Sequence, residues 1–202
     1  MKKIISLFVC LLIGTANATP IGNGLIIDGT TFGSSDAFQF FNNSDAGENI
    51  ISLTWDLSPI GAFFDSTDTS PGNSSSPLTV GTSSSVGYTF PTDAALDGSS
   101  ILTISFSDFN PGEFFRFGVD TDFLSNPDGF GLTGDQFIGA TALAIFSDGS
   151  QRIGTYVTTN QSGFGSEVSI TGSVSVPEPA SLALLGLGLA GIGFSRKKKT
   201  SK

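Results

Sequence analysis

The chain has 202 residues, a length suited to one domain with appendages, and its 39% apolar content with 19 Phe suffices for a core. Twenty-six Gly and only 13% charged residues point to a turn-rich, all-β extracellular protein. The absence of His and the single Cys, Cys10, exclude His-based triads, Cys–His nucleophiles, zinc sites built on His or Cys, and a disulfide framework.

The first eighteen residues have three parts. Lys2 and Lys3 make a basic start, Ile4 to Ile13 an apolar run, and Ala16-Asn17-Ala18 a small-x-small exit. That pattern is a secretory signal peptide over residues 1–18, cut by signal peptidase after Ala18. The apolar run is too short to favour an anchor helix. Cleavage would remove Cys10 and leave a chain without a thiol.

Residues 19–175 read as an extracellular domain with a periodicity of two. Leu25–Ile27 and Thr30–Phe32 form short runs, which Asp28-Gly29 could join as a hairpin. Ile51, Leu53, Trp55 and Leu57 alternate with polar residues, and Trp55 is expected in the core. Phe63-Phe64 could pack inside or line a carbohydrate platform. Residues Asp65 to Ser85, rich in Ser, Thr, Pro and Gly, predict a long exposed loop. Val86, Tyr88 and Phe90 make a short strand, and Leu102, Ile104 and Phe106 a longer one. Phe115, Phe117 and Val119 share one face, opposite Phe114 and Arg116. Ser147-Asp148-Gly149-Ser150 predicts a hairpin between 140–146 and 151–158. Val168, Ile170, Val174 and Val176 carry the alternation to the tail. No helix of ordinary length is expected before that tail. Eight to ten short strands predict an all-β β-sandwich of jelly-roll or immunoglobulin-like type.

Charge within this region is one-sided. Between residues 19 and 176 there are two basic residues, Arg116 and Arg152, against seventeen acidic ones, a formal charge of −15. Such a surface repels nucleic acid and anionic membranes and attracts divalent cations. The densest acidic stretch is Asp120-Thr121-Asp122, followed by Asn126 and Asp128. Asp120, Asp122, Asn126 and Asp128 are candidate calcium ligands, since Ca²⁺ takes six to eight oxygens. It is not an EF-hand loop: Leu124 falls at a ligand position, Ser125 at the glycine and Gly131 at the terminal glutamate. A solvated turn would use the same residue types. No enzyme is expected. Without His or a mature thiol the open route is a carboxylate pair, and no spacing singles one out.

At the other end, Pro177-Glu178-Pro179 precedes an apolar, Gly-rich stretch from Ala180 to Phe194. The basic residues Arg196, Lys197, Lys198 and Lys199, with Lys202, follow it. The prolines stop the preceding strand and suit the first turn of a helix. Fifteen helical residues span about 22 Å, a short transmembrane helix, and the basic terminus would stay cytoplasmic.

This tail, residues 176–202, resembles the PEP-CTERM sorting signal of Gram-negative bacteria in its ordered trio of Pro177-Glu178-Pro179, short helix and basic stop. Lys is more abundant here than the Arg typical of that family. The resemblance implies recognition by an exosortase, with removal of the tail after transit through the inner membrane and delivery to the cell surface or extracellular matrix. Tails of this kind are also labelled ice-binding-protein C-terminal domains. However, Thr67, Thr69, Thr158 and Thr159 do not form the flat, regular array that ice binding needs. The stretch Leu102 to Gly149 is similar to a recurrent core of PEP-CTERM ectodomains, which implies a secreted β-domain without an assigned activity. The expected role is structural or adhesive in biofilm or exopolysaccharide. The alternative is a secreted carbohydrate-binding module, with or without calcium.

Overall fold

The computed structural model describes residues 21–173 except 46, 70–71, 73 and 83–85, with the backbone alone at 172–173. The expected signal peptide, Val174 and Val176, and the tail with its sorting motif and basic stop lie outside the described residues. Among the described residues no helix is long and apolar enough to cross a membrane.

The expected all-β character is found. In chain order the strands are β1 Gly22–Ile27, β2 Phe38–Asn42, β3 Ile50–Asp56, β4 Ala62–Asp65, β5 Thr79–Val80, β6 Tyr88–Thr89 and β7 Ile101–Phe109. They continue as β8 Phe114–Gly118, β9 Asp120–Phe123, β10 Thr141–Phe146, β11 Gln151–Thr155, β12 Val157–Thr158, β13 Phe164–Ile170 and β14 Gly172–Ser173. The only α-helix among the described residues is a single turn, α1, at Asp93–Leu96.

Two six-stranded sheets result, ordered β12-β13-β1-β2-β8-β5 and β14-β11-β10-β3-β7-β6, with β4 and β9 forming a separate pair. The two large sheets share one core. Trp55 of β3 meets Phe117 of β8 at 4.9 Å between ring centres, and Phe106 of β7 meets Phe115 of β8 at 5.0 Å. The alternation predicted on β7 and β8 sends Leu102, Ile104, Phe106, Phe115 and Phe117 inward. Phe114 and Arg116 share the outer face, where the guanidinium lies 4.9 Å from the ring centre.

Three expectations are corrected. The partner of β1 is not Thr30–Phe32 but β2, because β13 and β2 occupy both edges of β1 and the chain after Ile27 turns away. Thr30 makes only an isolated bridge to Thr133. Ile51 is 43% exposed, although Leu53, Trp55 and Leu57 are buried as expected. The register against β10 slips there: Ser52 faces Ile145 and Ile50 faces Phe146, so Ile51 is the bulged residue and Ile50 takes the inward place. Finally, the segment 65–85 is only partly an exposed loop. Asp65 and Ser66 are buried, the Ser66 and Thr67 amides both donate to Asp97 Oδ1 at 3.0 Å, and Thr79–Val80 pairs with β8.

The hairpin predicted at Ser147 to Ser150 joins β10 to β11, with Gly149 at φ +82°. Phe63 and Phe64 are both buried, which removes them as a carbohydrate platform.

Candidate metal centre

The pair β4–β9 sets three carboxylates in the interior. Its register sets Asp65 opposite Asp120 and Phe63 opposite Asp122. Directly opposed residues in an antiparallel ladder share a face, and so do alternate residues along one strand. Asp65, Asp120 and Asp122 therefore point to the same side, with Asp122 on the diagonal from Asp65. One oxygen from each carboxylate lies within 4.8 Å of the other two, and all three residues are buried.

The electrostatic consequence is severe. Like charges directly opposite each other destabilise a sheet. Burial, followed by the neighbouring carboxylates of Asp122 and Asp97, pushes the Asp65 carboxyl up to about 7. Burial likewise pushes Asp120 up to about 7, with Asp122 and Asp65 adding repulsion while the Thr121 amide opposes the shift. Asp122 is raised by burial, with Asp128 adding repulsion, while the Gly131 amide opposes the shift.

Hydrogen bonding relieves little of this. The Thr121 amide donates to Asp120 Oδ1 at 2.7 Å. Among the described residues, however, no hydrogen-bond partner reaches either oxygen of Asp65, Asp120 Oδ2 or Asp122 Oδ2. Both basic side chains of the domain are engaged elsewhere. Arg116 lies on Phe114 and reaches Thr82, and Arg152 points to the Gln151 carbonyl.

Two glycines lie against the carboxylates. A Cβ on Gly72 would collide with Asp65 Oδ2 and lie 2.6 Å from the Pro127 carbonyl oxygen. A Cβ on Gly129 would collide with Asp122 Oδ1. At both glycines the backbone therefore approaches more closely than a side chain would permit.

The four residues singled out in the sequence divide into two pairs. Asp120 and Asp122 meet in the cluster, on a strand rather than in a turn. Asn126 and Asp128 are exposed on the following loop. The third member of the cluster, Asp65, was missed. Its only signal in the sequence is an acidic residue closing the apolar run Ala62-Phe63-Phe64, where a strand interior would be expected.

Residues 175–197 match the PEP-CTERM protein-sorting motif, a stretch that includes Pro177-Glu178-Pro179, Arg196 and Lys197. No curated protein and no solved structure matches the chain. The chain thus carries a PEP-CTERM sorting motif, and with it the mark of an exported cell-surface protein of Gram-negative bacteria processed by exosortase.

Proposed function

We propose that the chain is a structural or adhesive protein of the bacterial surface, biofilm or exopolysaccharide matrix. In this reading signal peptidase removes residues 1–18, the tail holds the protein in the inner membrane during transit, and exosortase removes the tail. The observation that carries it is the sorting motif at 175–197 behind an acidic, two-sheet domain. The region 19–176 bears seventeen acidic and two basic residues, a composition suited to hydration and to cation-bridged contact with acidic polysaccharide. The reading is non-enzymatic, in keeping with a chain that offers no His and no mature thiol for nucleophilic or acid–base work.

A specific observation favours glycan binding as the second reading. Phe130 is 68% exposed and set edge-on to Phe32 at 5.4 Å. Leu124, 64% exposed, lies in the same loop. An exposed ring beside polar groups is the arrangement on which sugars stack.

The test is the intact mass of the protein recovered from its native host, separated into membrane and medium. A mature chain ending near Pro177-Glu178-Pro179 supports sorting and release. A chain that keeps Arg196 to Lys202 in the membrane fraction overturns the exosortase step. Binding to extracted exopolysaccharide that is lost in Phe130→Ala would move the assignment to the carbohydrate-binding reading.

A further inference from the structure

We infer that Asp65, Asp120 and Asp122 hold one divalent cation, Ca²⁺ by its chemistry, in a site beside Gly72 and Gly129. The inference stands on the β4–β9 geometry and is independent of the surface role proposed above.

The fit begins with distance. Oxygens bound to one Ca²⁺ at about 2.3–2.6 Å each cannot lie more than about 5 Å apart. The three carboxylates meet that limit, with mutual separations within 4.8 Å. The second observation is the state of Asp65. Its side chain is 0% exposed, and among the described residues neither of its oxygens has a hydrogen-bond partner. A buried carboxylate without donors is among the costliest groups a fold can carry, unless a cation or a proton neutralises it. A second kind of oxygen lies close to Asp65, since the Pro127 carbonyl and Asp65 Oδ2 both crowd the place a Gly72 Cβ would occupy.

The donor set selects the ion. Carboxylates and a backbone carbonyl are hard oxygen ligands, the preference of Ca²⁺ and Mg²⁺, whereas zinc sites draw on His and Cys. Mg²⁺ keeps several waters and favours sites with one or two carboxylates. Three carboxylates in a water-poor interior suit the larger ion, which exchanges water for protein oxygens more readily. The exposed Asn126 and Asp128 are not needed as ligands.

The site would also fasten the chain. Asp65 ends β4, and Asp120 and Asp122 lie on β9, so one ion ties two strands that are 55 residues apart in sequence, by Asp65 and Asp120. Without it, the facing carboxylates must share protons or repel.

The experiment uses the full chain in mild detergent, stripped with chelator and titrated calorimetrically with CaCl₂ alone, then melted with Ca²⁺ or EDTA. One equivalent of Ca²⁺ is expected, with a melting midpoint higher by roughly 5–10 °C at a hundredfold excess over the dissociation constant. Mg²⁺ is expected to bind more weakly. Asp65→Asn should lose most of the Ca²⁺ shift yet melt above the unsubstituted chain in EDTA, because a buried repulsion is gone. Failure of the unsubstituted chain to take up Ca²⁺, with identical melts in Ca²⁺ and EDTA, overturns the site whether or not any variant folds. An Asp65→Asn chain that keeps the full shift would assign the ion to surface carboxylates. A parent chain that gains nothing from Ca²⁺, beside an Asp65→Asn chain that melts higher than it in both conditions, would show proton sharing instead. Either result also overturns the site.

Discussion

Trp55 donates its indole N–H to the Tyr156 hydroxyl at 3.0 Å, with both side chains 1% exposed. Trp55 comes from β3, and Tyr156 lies between β11 and β12, so the bond joins the middle of one sheet to the connection leading to the edge of the other. Tyr156→Phe leaves the indole donor without its acceptor. A loss of about 1–2 kcal/mol is expected, a fall in melting temperature of about 3–6 °C. The same pair sets an alkaline limit. Burial holds the Tyr156 phenol protonated well above its ordinary pKa, against the opposing pull of the Trp55 bond. Above pH 10 the unfolded chain releases this proton while the folded chain keeps it, so stability falls as pH rises from about 10. Denaturant melts from pH 8 to 11 should show that slope in the parent chain and a shallower one in Tyr156→Phe.

Asn42 is wholly buried and acts as a connector at the end of β2. Its Nδ2 donates to the carbonyls of Glu48 at 3.0 Å and Phe109 at 2.9 Å, while its Oδ1 accepts from the Ser44 amide at 3.1 Å. Phe109 ends β7, so this one amide links both sheets. Asn42→Ala strands three buried backbone groups and should cost about 2–4 kcal/mol. Urea unfolding should show a lower midpoint at an unchanged slope; an unchanged midpoint would mean that water replaces the amide.

At Gly154 of β11 the backbone of one large sheet comes against that of the other. A Cβ there would collide with the Ser169 carbonyl oxygen of β13 and lie 2.7 Å from a Val168 methyl group. The obstacle is backbone, which cannot rotate aside. Gly154→Ala should destabilise by about 1–3 kcal/mol, read as a melting temperature lower by about 2–10 °C.

Gly129 tests the site without replacing a ligand, since a Cβ there would press on Asp122 Oδ1. Gly129→Ala should weaken Ca²⁺ uptake about tenfold or more, while the melting temperature in EDTA moves by no more than about 2 °C. Titration calorimetry and a paired melt measure the two effects separately. A variant with parental affinity would show that Gly129 stands clear of the ion.

What the sequence made legible was local. Leu102, Ile104 and Phe106 announce β7 because one face is buried and the other wet, which is the condition under which alternation survives in a sequence. Ile51 breaks the rule since a bulge is a property of the pairing with β10, not of Ile51 itself. The partner of β1 was misread for a related reason. Asp28-Gly29 has turn chemistry, but the edges of β1 are claimed by strands that begin eleven residues later and close to the end of the domain. The acidic centre was half legible. Asp120 and Asp122 stand out by their spacing, whereas Asp65 joins them only through a strand register across the whole middle of the chain.

The nine residues of β7 also give the domain two distinct ends. At one, Phe109 meets Asn42, and Gly22 pairs with both Asn42 and Ile170. At the other, Ile101 faces Asp56, the Ser99 carbonyl accepts from Phe64 of β4, and Thr31 meets Thr121 between the two aspartates of β9. Nine extended residues separate these ends by about 30 Å. The domain is thus polarised: Asn42 closes one end with neutral amide hydrogen bonds, and the carboxylates of Asp65, Asp120 and Asp122 load the other.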